Sequence, residues 1–242
     1  MLTETVILAM TATLLAGIIR TSVGVGAGIA LTASLSLLFD AKMALAIMAF
    51  LQIGFGLSAV GHYWRKWDPI LATRLLASVI VGVVIGSWLV SILPADWVRR
   101  VMGAGIAAAA LLEFLRSRRP APLTTPALTH QVASGLLSGV AGSMANAGGA
   151  ILALHLKRLP LSYDAFLGTL SAVVLGHDIF RLAVFWGFGL LNQTALITAI
   201  ALLPFVFGGG WLGIHLRHAI SETILKQAVL SIVCFIGIML VL

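Results

Sequence analysis

Apolar residues run along this chain in long blocks separated by short polar stretches. The blocks cover 3–20, 24–39, 41–63, 69–92, 97–115, 130–156, 163–188, 192–216 and 220–242. A helix that spans a bilayer needs about 20 mainly apolar residues, so most of these blocks have the length of a span. Breaks fall at polar turns: Asp40 and Lys42; Arg65, Lys66, Asp68 and Pro69; Pro94, Asp96, Arg99 and Arg100. The longest polar stretch runs from Arg116 to Thr129 and carries Arg118, Arg119, Pro120, Pro122 and Pro126. The pattern predicts an all-α polytopic membrane protein of about eight helical segments. It divides into a first repeat over 1–116, a Pro/Arg linker over 117–129 and a second repeat over 130–242.

Composition excludes a soluble domain. Hydrophobic residues make up 60% of the 242 positions and charged residues 10%, against about 25% charged in soluble domains. The net charge of +7 sits in short clusters between apolar blocks, as in membrane loops, and no nucleic-acid motif accompanies it. A lone cysteine, Cys234, rules out a disulfide framework or a cysteine metal site. No cofactor and no metal is expected.

The two halves resemble each other. Shifted by 122 positions, 16–68 lies over 138–190 without gaps. The matches include Gly17/Gly139, Gly26/Gly148, Gly54/Gly176 and Trp64/Trp186. With one added residue, Gly86-Ser87-Trp88-Leu89 meets Gly209-Gly210-Trp211-Leu212. The shared order of features says more than the identities: a glycine-rich break, a span with an aromatic end, a span with Gly-x-Trp-Leu, and a last span.

Charge then bears on topology. If 1–39 and 130–158 each cross once, Lys and Arg divide six against seven between the two sides. If each glycine-rich break returns the chain to the side it came from, they divide ten against three. The richer side then holds Arg65, Lys66, Arg74, Arg116, Arg118, Arg119, Lys157, Arg158, Arg217 and Lys226. That bias satisfies the positive-inside rule. A single helix over 3–39 would also be about 55 Å long against a core of about 30 Å. Two halves of opposite orientation, a recurring transporter plan, are therefore expected. Re-entrant hairpins and pairs of short spans give the same parity.

Two sets of residues can carry chemistry. The first is the glycine breaks, Gly24 and Gly26 with Thr21 and Ser22 before them, and Gly148 with Ser143 and Asn146 before it. A helix broken at membrane depth frees N–H groups whose dipoles attract anions. Scattered glycines such as Gly82, Gly86 and Gly105 read instead as close helix packing. The second set is His177, Asp178 and Arg181, near the middle of an apolar block. Charge at that depth is costly and faces an interior cavity or a partner. Arg181 offers a bidentate fork to an oxyanion, and an imidazole such as His177 can carry a proton near neutral pH. A structural Asp178–Arg181 pair is the alternative. Arg20, just before the first break, faces either the anion or the membrane surface, and Gln52, a lone amide in 41–63, binds either substrate or a neighbouring helix.

These features resemble the sulfite exporter TauE/SafE family of membrane permeases. The carrying residues are Gly17 to Gly28 and Gly139 to Gly149, the aromatic ends Tyr63-Trp64 and Phe185-Trp186, and the two Gly-x-Trp-Leu spans. The resemblance covers nearly the whole chain. Ala27 interrupts the family's glycine run, Asn146 opens the second copy, and the proline common after the first cluster is missing around Ala30 to Ala33. The resemblance implies a multi-pass permease of the bacterial inner membrane that moves sulfite or an organosulfonate.

The expected function is thus a secondary transporter of a small anion, with Arg181, Arg20, Thr21, Ser22, Gly24, Gly26, Gln52, Ser143, Asn146 and Gly148 binding it. His177 and Asp178 would couple protons. Membrane lipid surrounds it, nucleic acid is not a partner, and a homodimer is allowed. The rivals are a membrane scaffold subunit and an intramembrane hydrolase using Ser138 or Ser143 with His177.

Overall fold

The computed structural model describes residues 2–23, 27–63, 65–116, 127–216 and 222–241. Every regular element among them is a helix. The first five are α1 (Leu2–Val23), α2 (Ala27–Leu38), α3 (Ala41–His62), α4 (Pro69–Ile92) and α5 (Ala95–Arg116). The second five are α6 (Leu128–Ala145), α7 (Gly148–Leu156), α8 (Tyr163–Gly187), α9 (Gln193–Leu216) and α10 (Glu222–Val241). Each half thus opens with a broken element, a long helix and a short one, followed by three more helices. The eight segments expected from hydropathy become ten helices because each broken element counts twice. α6 begins at Leu128, inside the stretch expected to be linker.

Local chemistry sets the boundaries. Asp68 caps α4 by accepting from the Leu71 N–H, and Pro69 follows at the first helical position, where its missing N–H costs nothing. Ser162 caps α8 by accepting from the Ala165 N–H. Three helices, Pro69–Ile92, Tyr163–Gly187 and Gln193–His215, are long and apolar enough to cross a membrane among the described residues. Large apolar side chains such as Ile7, Leu15, Val84, Ile197, Phe207 and Phe235 stand exposed around the outside, as a lipid-facing belt requires.

The halves interlock. α1 packs along α9, and α6 packs along α4. Glycine makes both crossings possible. A Cβ on Gly17 would stand 2.9 Å from the Gly209 Cα. One on Gly139 would stand 2.2 Å from the Val79 carbonyl oxygen and 2.6 Å from the Val83 nitrogen. Gly82 and Gly86 lie in the same α4–α6 contact, and Gly105 packs on Ala145, as expected of close helix packing. The Gly-x-Trp-Leu pattern follows. Gly86 and Gly209 face the partner helix, while Trp88 and Trp211 are 48% and 62% exposed. Exchanging α1–α5 with α6–α10 leaves the main helix neighbours unchanged: α3 packs on α9 as α8 does on α4, and α5 packs on α10.

Registers give the helix directions. Gly56 meets Leu175 while Gly168 meets Lys66 and Trp67, so α3 and α8 run antiparallel. Gly103 meets Leu240 while Gly237 meets Ala107, so α5 and α10 do too. The chain also doubles back at the second break, where Ser138 donates to the Gly148 carbonyl. One end of the bundle gathers the α3–α4 turn and the start of α8. There Lys66 Nζ meets Asp164 Oδ2 at 2.9 Å, and the Asp68 N–H donates to Thr169 Oγ1 at 3.0 Å. Arg65 and Lys66 thus share an end with the connection that carries Lys157 and Arg158. A straight crossing over 130–158 would have set them at opposite ends, so α6 and α7 double back within the second half.

Candidate functional site

The second break is built on Asn146. α6 ends there with φ 55°, the left-handed region that Asn tolerates better than other non-glycine residues. Its N–H caps the Gly142 carbonyl at 3.1 Å. The side chain points inward and is buried. Its Oδ1 accepts from Arg181 Nη1 at 2.9 Å and from Gln52 Nε2 at 3.3 Å, while its Nδ2 donates to the Gly28 carbonyl at 3.2 Å. One amide therefore ties together α2, α3, α6 and α8. Gln52 lies 11 residues into α3, about 16 Å along its axis and so near half depth of a bilayer core.

α8 supplies the charge. Arg181 is 0% exposed, Asp178 2% and His177 4%. Arg181 Nη1 also donates to the Gly142 carbonyl at 2.8 Å, as a second donor beside the Asn146 N–H. His177 Nδ1 and Asp178 Oδ1 are 2.9 Å apart, so the Nδ1–H donates to the carboxylate. Arg181 Nη2 stands 3.9 Å from the same oxygen, at the limit of an ion pair. Several buried atoms among the described residues have no hydrogen-bond partner: Arg181 Nε and Nη2, Gln52 Oε1, His177 Nε2 and Asp178 Oδ2. Buried polar atoms are nearly always paired, so their concentration here marks a site rather than a packed core.

The first half adds Arg20. Its guanidinium lies 4.8 Å from the centre of the ring of Phe55, one turn along α3 from Gln52, over an aromatic face that favours a cation. Gly28 is pressed against Gln52 and Asn146, where a Cβ would stand 2.9 Å from Gln52 Nε2. Gly24 and Gly26, and the side chains of Thr21 and Ser22, lie outside the described residues.

Two expected site residues turn elsewhere. Ser143 donates to the Val83 carbonyl at 3.3 Å and lies 3.4 Å from Ser87 Oγ, so its hydroxyl serves the α4–α6 contact. Gly148 packs on Ser138 and Gly142, which allows the tight reversal from α6 to α7. With Ser138 bonded to Gly148, the two serines of the hydrolase alternative donate their hydroxyls to backbone carbonyls rather than to His177. Phe55 and the carbonyls of Gly28 and Gly142 belong to the site and were not expected. A carbonyl has no sequence signature, but Phe55 occupies the position that His177 holds in the other half.

A cavity of about 330 Å³ opens away from this cluster, between α1, α2 and α10. Leu8, Leu15, Leu31, Ile232 and Ile236 line it, with only Thr11 and Ser34 polar. It offers an anion no charge. The cluster around Arg181 is where an anion can be held.

No curated protein and no solved structure gives a match to the chain. The family model described as Sulfite exporter TauE/SafE matches residues 9–240, from the first turns of α1 to the last of α10. That family is one of membrane transporters rather than enzymes. A wholly helical, lipid-faced fold with a buried polar cluster and a match over nearly its full length make the chain a member of the sulfite exporter TauE/SafE family of multi-pass membrane permeases.

Proposed function

We propose that the chain moves sulfite or an organosulfonate across the bacterial inner membrane, through a site where the two helix breaks meet. Arg181 is the main counter-charge, Arg20 the second, and Asn146 and Gln52 hold the site together. The observation that carries this is the unpartnered Nε–Nη2 edge of Arg181, with Nη1 already anchored on Gly142 and Asn146. That edge is the bidentate fork that oxyanions use. The antiparallel pairs α3/α8 and α5/α10 support two inverted halves, 1–116 and 130–242, joined by the 117–129 linker and rocking about one central site. The loop end that gathers Arg65, Lys66, Lys157 and Arg158 faces the cytoplasm.

Anion flux into proteoliposomes tests the site. Arg181→Ala is expected to lower sulfite flux by about tenfold to a hundredfold, the worth of a hydrogen bond to a charged group. Wild-type flux in that variant would reject the assignment. Absence of flux in the wild type, together with a stable protein partner, would favour the scaffold alternative.

Proton coupling rests on the His177–Asp178 contact. A proton carried on the imidazole would cross with the anion, so flux of an organosulfonate, which does not itself titrate, is expected to acidify the proteoliposome lumen. His177→Gln should remove that acidification while organosulfonate flux continues. Unchanged acidification in that variant would remove His177 from the coupling.

A further inference from the structure

The hydrogen-bond directions at the hub are forced. Arg181 can only donate, so the Asn146 atom it meets must be the oxygen. Asn146 Nδ2 then faces the Gly28 carbonyl, which only accepts. Gln52 reaches the same Asn146 oxygen and must do so with its NH₂ group. Its own oxygen is left turned away, buried and without a partner. No flip of either amide relieves this. Asp178 has the same surplus: Oδ1 accepts from His177, and Oδ2 has no partner. The cluster therefore presents two free donors, Arg181 Nε and Nη2, beside three free acceptors, Gln52 Oε1, Asp178 Oδ2 and, with the imidazole neutral, His177 Nε2.

Its charge is equally constrained. α1 contributes Arg20, and α8 contributes Arg181, Asp178 and His177. Gly28 of α2, Gln52 and Phe55 of α3, and Gly142 and Asn146 of α6 are uncharged. With the imidazole neutral, two cations face one carboxylate, and the net charge is plus one. A dianion such as sulfite or sulfate would overcompensate that charge and approach a carboxylate. It would also accept at every oxygen and leave Gln52 Oε1 and Asp178 Oδ2 orphaned, which is unfavourable in a buried site.

We infer that the site selects a singly charged oxyanion that carries its own O–H or N–H donor. This rests on Arg181 being the anion site. For sulfite the bound species is hydrogensulfite, whose proton fills one of the free acceptors. Each such anion brings its own proton across the membrane, whether or not His177 adds another. Among organosulfonates, those with a hydroxyl or an uncharged amide N–H close to the sulfonate fit best.

Calorimetry on the purified full-length chain tests this at a mildly alkaline pH, where imidazoles are neutral and the probes do not titrate. The probes are ethanesulfonate, 2-hydroxyethanesulfonate and sulfate. Sulfate is expected to bind at least about tenfold more weakly than ethanesulfonate, and 2-hydroxyethanesulfonate at least about threefold more tightly. Asp178→Asn removes the negative charge and should shift the sulfate-to-ethanesulfonate ratio about tenfold towards sulfate. Gln52→Leu should cancel the advantage of the hydroxyl. Sulfate binding as tightly as ethanesulfonate, or no advantage for the hydroxyl, in the wild type overturns the inference. So does an unchanged ratio in a folded Asp178→Asn protein. If Asp178→Asn does not fold, the wild-type ratios alone decide. No binding by any probe rejects the Arg181 site itself, a different failure.

Discussion

Replacing Asn146 by alanine is expected to destabilise the protein by about 2–4 kcal/mol. Two separable effects contribute. Alanine in the left-handed region costs about 1 kcal/mol or slightly more. The lost amide strands Gln52 Nε2, and a buried orphan costs about 1–3 kcal/mol, whereas the Gly28 carbonyl keeps the Thr32 hydroxyl as its donor. Asn146→Gly keeps the backbone relaxed and isolates the second effect. Unfolding titrations of both variants in mixed micelles read the two contributions, with Asn146→Gly about 1 kcal/mol less destabilised than Asn146→Ala. Equal stability of Asn146→Ala and wild type would mean that the amide does not join the two breaks.

Gly139→Ala is the second large effect. The added methyl group would stand 2.2 Å from the Val79 carbonyl oxygen and 2.6 Å from the Val83 nitrogen. Both are backbone atoms of α4 and cannot rotate away. The helices must part, so the expected loss lies at or above the upper end of overpacking, about 3 kcal/mol. Gly187→Ala is the matched control, since nothing stands within 4 Å of its added carbon. The same unfolding titration should leave it near wild type. A Gly139→Ala protein as stable as Gly187→Ala would remove the α4–α6 crossing from the determinants of this fold.

The membrane character of the chain is legible from hydropathy because lipid exposure forces long apolar runs. The polar cluster is legible for the same reason: Gln52, His177, Asp178 and Arg181 stand out against apolar neighbours. The roles of the glycines were harder to separate. Gly17 and Gly139 look like parts of the breaks because they precede them at matching distances, yet their Cα atoms carry the α1–α9 and α6–α4 crossings. Composition does not distinguish a glycine that frees a backbone from one that admits a neighbour. Ser143 illustrates a second limit. It lies three residues before Asn146, but its hydroxyl turns to Val83 while the amide turns to Arg181. Which way a short polar side chain points depends on the helix beside it, and here that is α4, far away in sequence.

The exchange of first helices between the halves bears on biogenesis. The nearest neighbours of Gly17 of α1 are Val206, Gly209 and Gly210 of α9, near the other end of the polypeptide. α1 is therefore made before its main partner, and that contact can form only after nearly the whole chain has been translated. α6 needs no such wait, because α4 precedes it. The second half can close on a partner already in place, whereas the first is completed last. A ribosome stalled before α9 would leave a nascent chain with α6 docked and α1 still open.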